Sequence, residues 1–149
     1  MKWSIYLLGL LCFFILVVPV GAVDLRPRRL ARFLAGQKSP LAFFAQDFVA
    51  EADRNFLDYR LLVSISGVES TFGRNHILGT YNVYGWGKGT IPFQSWPDGI
   101  AKVSAGLKTG YLDKGAISVA QIAPIYDPPG SRNWAAGVSQ FMAEIEQSL

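Results

Sequence analysis

Apolar residues Leu41, Phe44, Phe48 and Ala52 recur three and four positions apart behind the pair Ser39-Pro40. That spacing gathers them on one face of a helix, and serine followed by proline suits a helix start. The hydroxyl accepts from a free backbone N–H, and proline has none to leave unpaired. A helix is therefore predicted along "KSPLAFFAQDFVAEADRNF", with Ser39 as its cap. A second is predicted to open at a capping Asp58 in "DYRLLVSISGVES", where Leu62, Ile65 and Glu69 fall on one stripe. Glu69 thus rides an otherwise apolar face.

The pattern breaks at Thr71. From there to Pro97 the chain is rich in glycine and aromatic residues without a helical period, which predicts loops and a short hairpin. "GWGKG" in this stretch has neither the preceding strand nor the lysine-hydroxyl pair of a phosphate loop, so its glycines read as turn residues. Helix resumes at Ser95, with Asp98 three residues on as in a capping box. A short helix in "SVAQIAPIYDPPGSRNW" leads into a proline-locked loop. Trp134, Val138, Phe141 and Ile145 mark an amphipathic terminal helix. No internal repeat is visible.

Length and composition add that the 149 residues, half of them hydrophobic, suit one domain plus an extra segment. That segment is Trp3 to Val23, which carries no charge and reads as a signal or membrane-spanning helix. Ala22 offers a cleavage position, but the length of the apolar run favours a retained anchor. Residues 24–38 read as a basic linker and 39–149 as the folded domain. The arginines after the apolar run (Arg26, Arg28, Arg29, Arg32) would by charge alone hold the domain inside. The substrate inferred below places it outside, in the cell envelope.

Formal net charge is +3, yet residues 1–38 hold +5 and the remainder −2. A nucleic-acid reader needs a basic face on its folded part, so that class is excluded. The basic stretch reads equally as a contact for anionic lipid headgroups or as a solvated linker. Cys12, the one cysteine, lies in the apolar run, which rules out an intradomain disulfide or a cysteine metal site; Leu11 before it is no lipoprotein signal. His76, the single histidine, has no cluster of ligands around it and reads as a loop histidine.

Candidate chemistry centres on Glu69. A carboxyl carried on an apolar stripe is partly desolvated, which raises its pKa and suits a general acid; the plainer alternative is a glutamate that reaches solvent or caps a backbone amide. The stretch "SGVESTFG" resembles the acid-bearing helix end of the lysozyme-like superfamily. The order "YNVYGWG", "FQSWPDGI", "AGLKTGYL" and "IAPIYDPPGSRNWAAGV" is similar to the glucosaminidase-domain family of peptidoglycan hydrolases, over roughly residues 42–141. The resemblance implies a mainly α (α+β) lysozyme-like domain with a loop lobe. It further implies a cleft between two lobes and cleavage of β-1,4 bonds in wall glycan, as in an endo-β-N-acetylglucosaminidase.

On that resemblance Glu69 is the general acid, and Tyr126 lines the cleft opposite it, orienting the sugar's N-acetyl group or a water. Tyr126 reads equally as a buried tyrosine with a satisfied hydroxyl. Ser70 would bond near the acid, or else bond backward to its own helix. Asn82, Tyr84 and Trp86 would form a cleft wall that contacts substrate, since sugars offer apolar faces edged with hydroxyls. From Ser70 to Pro97 there is no Asp or Glu, and the capping box accounts for Asp98. With one acid available, the expected route is substrate-assisted, the 2-acetamido oxygen attacking the anomeric carbon. No metal or cofactor is implied, the expected partner is peptidoglycan, and the chain is read as a monomer. A lytic transglycosylase and a non-catalytic glycan-binding module stand as rival readings.

Overall fold

A computed structural model describes residues 23–148. The apolar run from Trp3 lies outside the described residues except for Val23, and no described helix is long and apolar enough to cross a membrane. The described chain is mainly helical, with α1 at Arg26–Gly36, α2 at Ala45–Asn55, α3 at Leu61–Ser70, α4 at Trp96–Gly110, α5 at Val119–Tyr126 and α6 at Ser131–Gln147.

Helix α3 forms the centre. Every residue from Leu61 to Gly67 is buried, the mark of a helix enclosed on all sides, and α2, α4 and α6 pack against it. Gly67 sets how closely α6 and the turn after α3 approach. A Cβ there would lie 2.5 Å from the Phe72 ring and 2.8 Å from that of Phe141. Those two rings meet edge to face at 4.8 Å between centroids, and Phe33 of α1 closes the cluster at 5.3 Å from Phe72.

Helix α1 corrects the reading of residues 24–38 as a linker. The arginines dominate its composition, but Leu30, Phe33 and Leu34 sit three and one apart on one face and are buried in the core. Arg26 pairs with Asp53 of α2 at 2.7 Å, and Arg29 with Glu146 of α6 at 2.7 Å. The folded unit therefore includes α1. Two other boundaries move. Ser39 does cap, accepting from the Leu41 N–H at 3.0 Å, but it opens a 3-10 turn at Pro40–Phe44 before α2 begins. Asp58 accepts from the Arg60 N–H at 2.9 Å and so orders the approach to α3, which starts at Leu61.

The expected hairpin between Thr71 and Pro97 is absent: among the described residues there is no strand. One backbone bond, from Phe93 N–H to Thr80 O at 2.8 Å, draws the two sides of this loop together, and side chains take the place of a ladder. Asn82 donates to the carbonyls of Trp86 at 2.7 Å and Ile91 at 3.0 Å. At α4 the Ser95 hydroxyl accepts from Asp98 N–H at 3.2 Å, and the Asp98 carboxylate accepts from Gln94 N–H and Lys102. Asp98 is thereby spent on the helix start, as its position in the sequence indicates.

Candidate active site

Helix α3 ends by carrying Glu69 to the floor of an open cleft of about 1080 Å³, whose walls include Trp86, Tyr111, Tyr126, Asp127 and Trp134. A second hollow of about 470 Å³ adjoins it, lined by Ser70, His76 and Asn82 among others. Glu69, Gly85 and Lys88 line both. The carboxyl thus stands where the two hollows share their lining.

How the acid is aimed follows from the turn after it. Thr71, Phe72 and Gly73 are all left-handed, with φ of 53°, 56° and 82°. For two non-glycine residues this is uncommon backbone, held here by the burial of Phe72. Ser70 fastens the turn. Its hydroxyl lies 2.9 Å from Ser66 O and 2.8 Å from Val83 O, one proton serving both, and it accepts from Gly73 N–H at 3.0 Å. The helix end and the following loop are joined through that oxygen.

Around the carboxyl, the indole N–H of Trp134 donates to Glu69 Oε1 at 2.8 Å. Oε2 lies against Gly85, where a Cβ would come within 2.2 Å of it and φ is +70°, so both space and backbone require glycine. Glu69 is half-buried, and that desolvation raises its pKa above the ordinary carboxyl value; the Trp134 hydrogen bond opposes the rise, and the charge of Asp127 adds to it. With Oε1 bonded to the indole, Oε2 is the oxygen left to carry the proton when Glu69 is protonated.

Tyr126, at the end of α5, stacks on Trp134 with centroids 4.8 Å apart. Its hydroxyl donates to the backbone carbonyl of Tyr84. Burial, and secondarily the charge of Glu69, pushes the phenol well above the ordinary tyrosine range. A phenol has one hydrogen, so Tyr126 cannot make this bond and also donate to a ligand. Expected as a group that orients the substrate, it presents its ring to the cleft and ties α5 to the loop.

The remaining expectations divide. Trp86 lines the cleft, its ring lying over Gly106 of α4, where a Cβ would meet it at 1.9 Å. Tyr84 does not: its side chain is wholly buried, and its hydroxyl, without a partner among the described residues, lies in the core. It shapes the site through its carbonyl alone. Asn82 borders the second hollow but is 3 % exposed, with both amide hydrogens given to loop carbonyls, so it builds the wall without reading a ligand. Ser70, also 3 % exposed, is likewise a fastener. His76 sits at the rim, Nδ1 2.9 Å from Gly73 O and its ring edge-on to Trp96.

Two important residues escape the sequence reading. Trp134 reads as core on the α6 stripe, yet a buried indole N–H needs an acceptor, and that need was the available signal. Asp127 lies in "YDPPG", far along the chain from Glu69. It lines the cleft with its carboxylate folded over Gly130, where a Cβ would come 2.3 Å from Oδ2, at the N-terminal end of α6. The sequence offers no carboxylate between Ser70 and Pro97; Asp127, beyond that stretch, lines the cleft with Glu69.

Fold and site together define a small helical protein with an acid-bearing, aromatic-walled cleft. No protein-family model, curated protein or solved structure matches the chain, so the reading of its activity rests on the site.

Proposed function

We propose that this chain cleaves β-1,4 glycosidic bonds of peptidoglycan, with Glu69 as the general acid that protonates the leaving oxygen. The observation that carries the reading is the position of Glu69: half-desolvated, held by Trp134 through one oxygen, and set where two hollows meet. A proton donor must be near the operating pH in affinity and within reach of the bond it breaks, and a glycan strand must extend to both sides of that bond. Half-buried Trp86 supplies an aromatic platform of the kind that sugar faces pack on. The assignment to wall glycan, and to the envelope as the place of action, draws on the family resemblance of the motifs around Glu69 and on the apolar segment ahead of α1.

The transition state of such cleavage is oxocarbenium-like and needs negative charge or a nucleophile beneath the anomeric carbon. The substrate's 2-acetamido oxygen remains the proposed nucleophile, as in substrate-assisted glycosidases. Asp127 makes a second route concrete, in which a carboxylate activates water. A lytic transglycosylase uses neither water nor a second carboxylate, and the commitment of the Tyr126 hydrogen to Tyr84 favours keeping that alternative.

Mass spectrometry of the products from purified wall glycan tests these readings. Hydrolysis at N-acetylglucosamine leaves reducing glucosamine ends, as proposed. Reducing muramic ends would shift the bond cleaved, and 1,6-anhydromuramic ends would establish the transglycosylase. An undigested wall under conditions where the chain is folded would contradict the proposal.

A further inference from the structure

The glycine-rich loop over the acid carries one charged side chain. Gly85, Gly87, Lys88 and Gly89 all have left-handed backbone, Lys88 at φ 58°. Gly89 N–H closes the loop onto Gly85 O at 3.1 Å and Trp86 O at 3.0 Å. Asn82 anchors it from below through Trp86 O and Ile91 O. Lysine adopts this backbone at a cost that glycine would avoid. The loop thereby holds Lys88 exposed, in the lining of both hollows.

Among the described residues lining the two hollows, Lys88 is the one lysine or arginine, and it lines both. The cleft's carboxylates, Glu69 and Asp127, would each be a natural partner, but Lys88 pairs with neither. The ion pairs among the described residues engage Arg26, Arg29, Arg54, Arg60, Lys102 and Lys108. Asp127, and Glu69 whenever it is ionised, repel an anionic ligand unless a cation answers them. Neutral aminosugar polymers need no such answer. Wall glycan does, because its lactyl groups end either in a free carboxylate or in a peptide stem that bears carboxylates.

We propose that Lys88 is a specificity residue that selects glycan strands carrying a carboxylate substituent over neutral strands of the same backbone. The inference rests on the glycan-cleft reading above and deepens it. Attraction between an exposed ammonium and a substrate carboxylate acts in the bound complex and in the transition state alike, so it acts on KM rather than kcat. It also weakens as salt is raised.

The test uses the full chain with Lys88→Asn, which tolerates left-handed backbone, and Lys88→Arg, which keeps the charge. Three soluble ligands are compared: muropeptide oligomers with stems, the same strands stripped by an amidase to the free lactyl carboxylate, and neutral N-acetylglucosamine oligomers. Affinity is read by calorimetry in a Glu69→Gln background, and cleavage is read separately in the Glu69 form. Lys88→Asn is expected to weaken binding of carboxylate-bearing ligands on the order of 5-fold and to leave neutral ones unchanged, with Lys88→Arg close to the parent. Loss on stem-bearing strands alone assigns the stem carboxylates, and loss on stripped strands alone assigns the lactyl group. Equal effects on all three ligands, or none, would overturn the proposal. If binding follows this pattern while no ligand is cut, Lys88 stands as the selector and the catalytic reading falls.

Discussion

Glu69 is pulled in two directions by neighbours that it meets only on folding. Desolvation and the charge of Asp127 hold the proton on, and the Trp134 indole favours its release. A general acid works while protonated, so activity should decline as pH rises through the Glu69 pKa. Trp134→Phe removes the donor and keeps most of the stacking on Tyr126. The pKa then rises further, and the alkaline limb of the kcat/KM profile moves to higher pH. Asp127→Asn removes a like charge, the pKa falls, and the limb moves to lower pH. Profiles on soluble glycan fragments check both; shifts of the same sign, or an unmoved limb in each, would remove Glu69 as the titrating acid.

Among the elements, α1 carries the largest departure from expectation. Leu30 is fully buried, so Leu30→Ala should cost roughly 2–5 kcal/mol, read by denaturant unfolding, where a spacer would tolerate it. A loss below about 0.5 kcal/mol would restore the linker reading. The helix was hard to see because four arginines in a short stretch mask a narrow apolar stripe, and because a helix of 11 residues draws most of its stability from partners that only the fold supplies. Elements whose signals are local were legible: the Ser95 cap, the proline-locked end of α5, and the α6 stripe at Trp134, Val138 and Ile145. The loop from Thr71 to Pro97 was legible as a loop but not in its pairing, since Asn82, not a strand ladder, closes it.

In the molecule as a whole, Glu69 stands out in the sequence because one charge on an apolar helix breaks a pattern. Trp134 and Asp127 break none, and they join Glu69 through contacts between distant parts of the chain. Tyr84 illustrates the converse: an aromatic in a glycine-rich loop looks like a ligand platform until folding buries it completely. A raised folded-state pKa also bears on stability. The contribution of Glu69 is fully present below its unfolded value near 4.5 and is lost as pH rises through the folded value, so above that folded value the ionised side chain is a burden on the fold. At pH values above the folded Glu69 pKa, Glu69→Gln should therefore melt no lower than the parent, which separates loss of chemistry from loss of structure. The most direct measurement is the rate at which Glu69 and Glu69→Gln proteins release new glycan ends from purified peptidoglycan, with both shown folded by their melting curves. The account predicts a fall on the order of 10²-fold or more in the glutamine variant, the scale of a lost general acid. Near-parental release by Glu69→Gln would contradict it.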